Sequence, residues 1–203
     1  MSQNPPAHAP ATLRNREALW AVLSRCLPAT GLLLEIASGT GEHAAFMAPQ
    51  MPDGLHWQPS DYATDALADI DAHARASGST RIRPAIRLDV TAAVWPVEQA
   101  DAIFCCNMIH IAPWAAAEGL FAGAGRLLST GAPLVLYGPY RRNGQHTAES
   151  NAAFDESLQS RDPRWGVRCL ETEVVPLAAQ AGFRLEEIVD MPANNLTLLF
   201  RRV

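Results

Sequence analysis

The sequence predicts a Rossmann-like α/β domain, a doubly wound and mostly parallel sheet of seven strands that ends in a C-terminal β-hairpin. Three observations predict this fold. Short apolar runs alternate with amphipathic helical stretches, and parallel strands need such helical crossovers. A Gly-Thr-Gly turn at residues 39–41 follows the first apolar run of strand type. Only a short link, residues 191–195, separates the last two runs, which therefore pair as a hairpin.

Each element is predicted from its apolar pattern. A helix begins at Asn15, carries one apolar stripe and stops at Pro28 and Gly31. Residues 138–172 are polar and aromatic and longer than a usual connection, so we expect a lid or insertion there. Strands are predicted at 32–37, 55–61, 86–90, 101–107, 133–137, 184–190 and 196–203, and further helices at 42–48, 63–76, 115–128 and 174–181.

The composition indicates one globular domain and disfavours several functions. Of the 203 residues 48% are hydrophobic, so we expect a single globular domain, which covers 15–203. We expect residues 1–14 to form a flexible tail before it. A net charge of −5 without a basic run argues against a nucleic-acid partner. The lack of a long apolar stretch and of a secretory signal predicts a cytoplasmic protein that does not bind membranes. Adjacent Cys105 and Cys106 suit neither a zinc knuckle nor a redox pair, and we expect reduced thiols and no metal site.

The first strand, the glycine turn and the second strand together predict a nucleotide-type site. Gly39 and Gly41 lie at a strand-to-helix junction, where glycine allows a tight turn and close approach of a ligand. Asp61 ends the next strand, and a carboxylate there can accept both hydroxyls of a ribose. The alternative is an ordinary turn, with Asp61 as a helix cap.

Glu35 helps to choose the nucleotide. A dinucleotide would place its pyrophosphate on the helix that follows the turn, and a carboxylate beside it would repel it. S-adenosylmethionine (SAM) has a sulfonium and an ammonium group and no phosphate. The charge of Glu35, four residues before Gly39, therefore favours SAM.

The longer motifs resemble a known family. Glu35-Ile-Ala-Ser-Gly-Thr-Gly41, Asp61 and Asp89 after the second and third strands, and the closing hairpin resemble class I SAM-dependent methyltransferases. Further stretches make the chain similar to the uncharacterised methyltransferase-like protein 26 type from about residue 13 onwards. These stretches are 15–16, 57–61, 88–90, 107–114, 137–140, 150–155, 161–166 and 191–195.

The resemblance implies roles for residues at matching positions. Gly39 and Gly41 would pack against the methionine part of SAM, with Glu35 near its ammonium group, and Asp61 would take the ribose hydroxyls. Further cofactor residues implied by the resemblance are Asp89 and Val90 at the adenine, Asn107 near the sulfonium, and Asn15 and Arg16 over the cofactor carboxylate.

The acceptor side is less defined. His110 is either a general base or a hydrogen-bonded residue that shapes its loop. Asn107 stands where base-modifying enzymes carry an Asn/Asp-Pro-Pro-aromatic tetrad, but Met108 and Ile109 replace the prolines, which argues against nucleic-acid methylation. Asn107 and Tyr140 join His110 as catalytic candidates. The substrate-binding candidates are Tyr140, Arg141, His146, Asn151, Asp155, Asn194 and Asn195; alternatively, these are residues of a solvated loop and an ordinary turn.

The sequence thus predicts a SAM-dependent methyltransferase that acts on a small molecule, as a monomer or homodimer. Methyl transfer is an in-line displacement, and the protein mainly has to align the acceptor, so the lack of a catalytic triad does not argue against an enzyme. Two alternatives stay open: a SAM-binding regulatory protein without turnover, and a nicotinamide-dependent oxidoreductase.

Overall fold

The computed structural model describes residues 8–203. None of the helices in this part of the chain has both the length and the apolar character that crossing a bilayer requires. The elements are α1 (Pro10–Cys26), β1 (Thr30–Ile36), α2 (Glu42–Met47), β2 (Gly54–Asp61), α3 (Ala66–Ser77), β3 (Ile86–Arg87), β4 (Ala102–Cys106), α4 (Trp114–Leu127), β5 (Pro133–Gly138), β6 (Arg141–Arg142), β7 (Gln145–His146), α5 (Glu149–Arg161), α6 (Val175–Gln180), β8 (Phe183–Met191) and β9 (Asn195–Arg202).

The predicted sheet and its hairpin are confirmed. The seven-stranded sheet has the order β3-β2-β1-β4-β5-β9-β8. The first five of these strands pair in parallel, and β9 runs antiparallel to both β5 and β8. The strand order reverses between β1 and β4, and in open α/β sheets ligands bind in the crevice at the carboxyl ends of the strands at such a point.

Helices cover both faces of this sheet. The central strands are buried on both sides, which is why they read as continuous apolar runs rather than alternating ones. Leu33 faces the core beneath α1 and α2, whereas its neighbour Leu34 faces the core beneath α4 and α6. The apolar stripe of α1, predicted from the sequence, is buried in the first of these cores.

Of the element boundaries that differ from the prediction, two have a clear local cause. Helix α1 begins at Pro10 rather than Asn15, because proline is well accommodated in the first turn of a helix, where its missing N–H has no partner to lose. The remainder of the predicted tail, residues 1–7, lies outside the described residues. Strand β3 ends at Arg87 rather than at residue 90, since the Asp89 carboxylate accepts the backbone N–H of Thr91 and turns the chain.

The predicted insertion, residues 138–172, carries its own secondary structure. It contains the small antiparallel ribbon β6–β7 and helix α5, and it runs into a π-helix at Leu170–Val174. Leu158 is fully buried, and Asp155 accepts the backbone N–H of Val167 at 2.7 Å. The segment therefore packs as part of the domain, and a lid motion stays a prediction.

Candidate active site

The glycine loop joins β1 to α2 beside the strand-order reversal. Ala37, Gly39 and Gly41 all have positive φ, at 57°, 59° and 81°. A β-carbon at Gly41 would lie 2.8 Å from the Cα of Ile70, so only glycine fits against α3 there. Around Gly39, by contrast, no atom of residues 8–203 other than its chain neighbours lies within 4 Å of where a β-carbon would stand. The loop is thus fixed on one side and open on the other.

Asp61 lies against this loop. Strands β1 and β2 are parallel and in register, with Ile36 opposite Ser60, so their carboxyl ends meet. The Oδ2 atom of Asp61 accepts the backbone N–H of Gly39 at 2.9 Å, and its Oδ1 accepts that of Ala63 at 2.9 Å. The structure therefore brings the predicted glycine loop and the predicted ribose-binding acid together, with the carboxylate held in one orientation.

Glu35 is buried directly behind the loop. Its Oε2 accepts the hydroxyl of Ser38 at 2.8 Å and the indole N–H of Trp57 at 2.9 Å. Burial raises the pKa of this carboxyl from 4.5 to about 7, although both hydrogen bonds oppose the shift. The groups of residues 8–203 that act on this carboxyl include no cationic side chain. Glu35 is therefore a buried acid whose ionised form lacks a counter-charge from the described chain.

The raised pKa of Glu35 predicts how stability changes with pH. Between about pH 4.5 and 7 the unfolded chain loses this proton while the folded chain keeps it, so the contribution of Glu35 to stability falls as pH rises through that window. The loss is about 3 kcal/mol at full ionisation. We expect Glu35→Gln to remove this slope when urea unfolding is measured at pH 5 and pH 8. An unchanged slope in Glu35→Gln would contradict the raised pKa.

Asp89 and Val90 lie in a rigid loop after β3. The Asp89 Oδ1 accepts the Thr91 N–H at 2.9 Å and its hydroxyl at 2.7 Å, and these bonds lower the pKa of Asp89. The carbonyl of Val90 accepts the indole N–H of Trp95 at 3.2 Å. A β-carbon at Gly119 of α4 would lie 2.3 Å from that carbonyl oxygen. The loop is thus packed on α4, and its contact with adenine stays a prediction.

Asn15 and Arg16 have partners within the protein. The Oδ1 of buried Asn15 lies 2.9 Å from His43 Nε2. The guanidinium of Arg16 stacks over the Phe46 ring, 4.4 Å from its centroid. Both residues hold α1 against α2, and their closure over the cofactor stays a prediction.

Asn107 turns the chain at the end of β4, which pairs with β1, the strand that precedes the glycine loop. Its φ is 61°, a left-handed conformation that asparagine tolerates better than most residues. Its N–H donates to the carbonyl of Tyr137 at 2.8 Å, and its carbonyl accepts the N–H of His110 at 3.0 Å. Positive-φ residues therefore follow both β1 and β4, the pair at which the strand order reverses.

The surroundings of His110 disfavour a general-base role. The ring is fully buried, and its Nδ1 accepts the backbone N–H of Arg168 at 3.2 Å. Burial, together with the smaller effect of the Arg168 guanidinium, lowers the pKa of His110 to about 3. The imidazole is therefore neutral with its proton on Nε2, which makes it a hydrogen-bond donor. The alternative, a histidine that shapes the loop after β4, agrees with this geometry.

Tyr140 does not face the acceptor side either. It is fully buried in the core beneath α4, where its ring meets His110 edge to face with centroids 4.8 Å apart. Its hydroxyl has no partner within the described chain, and burial raises its pKa well above the usual 10. A catalytic or substrate-binding role for Tyr140 stays a prediction, and it would require exposure of a hydroxyl that is buried here.

A small cleft lies at the same edge of the sheet, next to β5. Because β8 runs parallel to β5, the end of β8 and the start of β9 reach this edge, with Leu196 opposite Gly138. The cleft measures about 200 Å³ and includes the predicted Asn194 and Asn195. Sequence reasoning missed three of its polar residues, which are Arg142, Thr147 and Asp190.

The predicted substrate residues of the insertion divide into three groups. Asn151 donates to Thr147 Oγ1 at 3.1 Å and to the carbonyl of Asn194 at 2.9 Å, which ties α5 to the hairpin link. Arg141 pairs with Glu173 at 3.0 Å, within the insertion and its π-helix. The third group, His146 and Asp155, forms a separate pair.

His146 and Asp155 form an imidazole–carboxylate pair. The Nε2 of His146 lies 3.2 Å from Asp155 Oδ2, while Asp155 Oδ1 is held by the N–H of Val167. The second ring nitrogen, Nδ1, is buried and has no hydrogen-bond partner in the described chain. A carboxylate beside one imidazole nitrogen is a feature of general bases, and the other nitrogen, Nδ1, would have to become exposed to reach an acceptor.

Comparison with solved structures identifies proteins of the same fold. The chain is similar to the mitomycin 7-O-methyltransferase MmcR (TM-score 0.80, 16% identity, 95% of this chain and 54% of that one). It is also similar to an O-methyltransferase family 2 protein from Planctomyces limnophilus in complex with apigenin (0.75, 20%, 93% and 62%). A third similar structure is CalO1, a methyltransferase of calicheamicin biosynthesis bound to SAH (0.72, 18%, 92% and 54%). The chain spans between half and two thirds of the length of these proteins.

The family comparison covers nearly the whole chain. A family model described as "Protein of unknown function (DUF938)" matches residues 6–202. The chain therefore belongs to the DUF938 family.

Proposed function

We propose that this chain is a SAM-dependent methyltransferase that methylates a small molecule. The observation that carries the proposal is the contact between Asp61 and the N–H of Gly39 at the carboxyl edge of the sheet. It places a fixed carboxylate beside an open glycine loop in a fold shared with methyltransferases. The resemblance to the methyltransferase-like protein 26 type supports the same function.

The residues at this edge fit SAM. The open face of Gly39 leaves room for the backbone to approach a ligand, and the two Asp61 oxygens can each accept one ribose hydroxyl in addition to their backbone bonds. Glu35 supplies the negative charge that an ammonium group requires. Asp89 and Val90 follow β3, the next strand along from β2, and would flank the adenine.

The buried charge of Glu35 also separates the two nucleotide classes. Its carboxyl is buried behind the loop, and in its ionised form it would repel an NAD pyrophosphate bound on the open face of the loop. A cationic ligand instead favours the ionised form of Glu35. The proposal therefore ranks SAM above a nicotinamide cofactor.

The acceptor side of the proposal is the cleft at Asn194 and Asn195. SAM, when bound, supplies the electrophilic methyl group. The chain has to hold the acceptor in line with it, and orientation of this kind is worth about 7–11 kcal/mol. His146 pairs with Asp155 and precedes Thr147 of the cleft. When its buried Nδ1 becomes exposed, this nitrogen would take the proton of an acceptor hydroxyl. The cleft volume of about 200 Å³ and its polar lining favour a small, polar acceptor.

The test of this function is binding followed by turnover. Calorimetry of the whole chain should show one SAM per chain and no comparable heat with NAD. The protein should then release SAH when methyl-labelled SAM is incubated with a panel of small phenols, catechols, hydroxy acids and thiols. SAM binding without SAH release across the panel would favour the regulatory alternative, and NAD binding without SAM binding would overturn the proposal.

A further inference from the structure

Three side chains from separate elements converge beside the glycine loop. His8 precedes α1, Glu42 opens α2 directly after Gly41, and His73 lies in α3. One potential ligand atom from each lies within 4.8 Å of those of the other two. His8 Nδ1 is 2.9 Å from Glu42 Oε1, and the rings of His8 and His73 stand edge to face with centroids 5.3 Å apart.

The carboxylate of Glu42 is already held in place. Its Oε2 accepts the hydroxyl of Thr40 at 2.9 Å and the N–H of Ala9 at 2.7 Å. Its Oε1 is the oxygen that faces His8. Hydrogen bonds to the outer oxygen of a carboxylate orient its inner oxygen, which is a common feature around metal ligands.

The three residues differ in burial, from the buried His73 to the exposed His8. His73 is buried at 8% exposure, and the side chains of Glu42 and His8 are 10% and 68% exposed. Two of the groups are therefore fixed by the protein core, and the third closes over them from solvent. An ion has an open route to this position.

We propose that His8, Glu42 and His73 bind a zinc ion. Two imidazole nitrogens and one carboxylate oxygen form a ligand set that zinc accepts, with the fourth position left to water. Magnesium and calcium prefer sites built from oxygen atoms, so they fit this set poorly. The sequence analysis predicted no metal site because it considered the cysteines, whereas these three residues are brought together only by tertiary folding.

A nearby positive charge weakens the affinity of this site for zinc. The cluster lines a cleft of about 400 Å³ between α1, α2 and α3, and Arg16 lines the same cleft. This positive charge opposes a cation, so we expect weaker binding than at the structural sites of zinc fingers. Bound zinc would fasten the segment before α1 to α2 and α3, next to the loop assigned to SAM.

The test uses the untagged, metal-free full chain and zinc chloride. Calorimetry should show one Zn²⁺ per chain, and cobalt substitution should give the visible absorption of a four-coordinate site. His8→Ala, Glu42→Gln and His73→Ala should each weaken zinc binding at least tenfold. The matched control is His56→Ala, which removes a histidine of β2 outside the cluster and should leave binding unchanged.

His8→Ala keeps the proposal falsifiable if the buried His73→Ala variant fails to fold, because His8 is exposed. Zinc binding that is equal in His8→Ala and His56→Ala would overturn the proposal, as would the absence of zinc binding to the unsubstituted chain. Binding of magnesium with an affinity similar to that of zinc would also overturn the proposal, because it would show that the surface attracts any divalent cation by its charge.

Discussion

Asp61→Ala is expected to weaken SAM binding by about 10- to 100-fold, the equivalent of roughly 1.5–3 kcal/mol for a charged hydrogen-bond acceptor. The substitution removes the acceptor proposed for the ribose hydroxyls. It also releases the Gly39 N–H, which Asp61 Oδ2 holds at 2.9 Å. Both losses act in the same direction, because a loop that is no longer held must be ordered by the ligand. Calorimetric titration with SAM and SAH measures the effect.

Two controls separate the causes of this loss. Asp61→Asn keeps an oxygen for the Gly39 N–H and removes the charge, so we expect an intermediate loss of affinity. Asp65→Ala removes the same charge from an exposed position just before α3 and should leave SAM affinity unchanged. Wild-type affinity in a folded Asp61→Ala variant would contradict the assignment of Asp61 to the ribose.

His146→Ala is expected to lower kcat by about 10²- to 10⁴-fold, the usual contribution of a general base. Affinity for SAM should stay within a few-fold of the wild type, since His146 lies in the insertion and not on the glycine loop. The expected loss of rate follows from the pair with Asp155, which lies 3.2 Å from one ring nitrogen, while the buried Nδ1 has no hydrogen-bond partner in the described chain. The rate is measured as SAH release with the acceptor that the panel identifies.

Asp155→Asn and His110→Ala complete this series. Asp155→Asn can still accept the Val167 N–H through its amide oxygen, so the rate should fall while the fold is kept. His110→Ala leaves the Arg168 N–H without its acceptor in a buried place, and we expect it to cost about 1–3 kcal/mol of unfolding free energy in urea. A wild-type rate in His146→Ala together with a large loss in a stable His110→Ala would reverse these two roles.

Prediction succeeded wherever one stretch of chain carries the whole signal. The apolar runs and the helical stripe specify the parallel sheet, because a buried strand must be apolar on both faces. The glycine turn and Asp61 belong to adjacent parallel strands, so their meeting follows from the register alone. Asn194 and Asn195 reach the carboxyl edge for the same reason, since the hairpin turns there.

Prediction was least successful where the direction of a side chain decides whether the residue faces the site or the core. His110 was singled out by its place after β4 and Tyr140 as a polar residue of the insertion, but both rings turn into the core beneath α4. The number of residues after the end of a strand does not show which way a side chain points. Here the left-handed conformation of Asn107 changes the direction of the chain after β4. Arg142, Thr147 and Asp190 were missed because they come from three elements that meet only at the cleft.

The sequence by itself determined the chain order of the seven sheet strands and of five of the six α-helices in residues 8–203, the glycine loop and the acids at the carboxyl ends of the first three strands, since local periodicity and turn chemistry specify these features. Helix α5 and the β6–β7 ribbon of the insertion were not predicted. Tertiary structure decided the protonation and pairing of the site. Burial raises the pKa of Glu35 to about 7 and lowers that of His110 to about 3, and both shifts depend on solvent exclusion by residues distant in sequence. It likewise brought His146 to Asp155 and His8 to Glu42 and His73, because hydrogen bonding and metal binding act over a few ångströms of space and not along the chain.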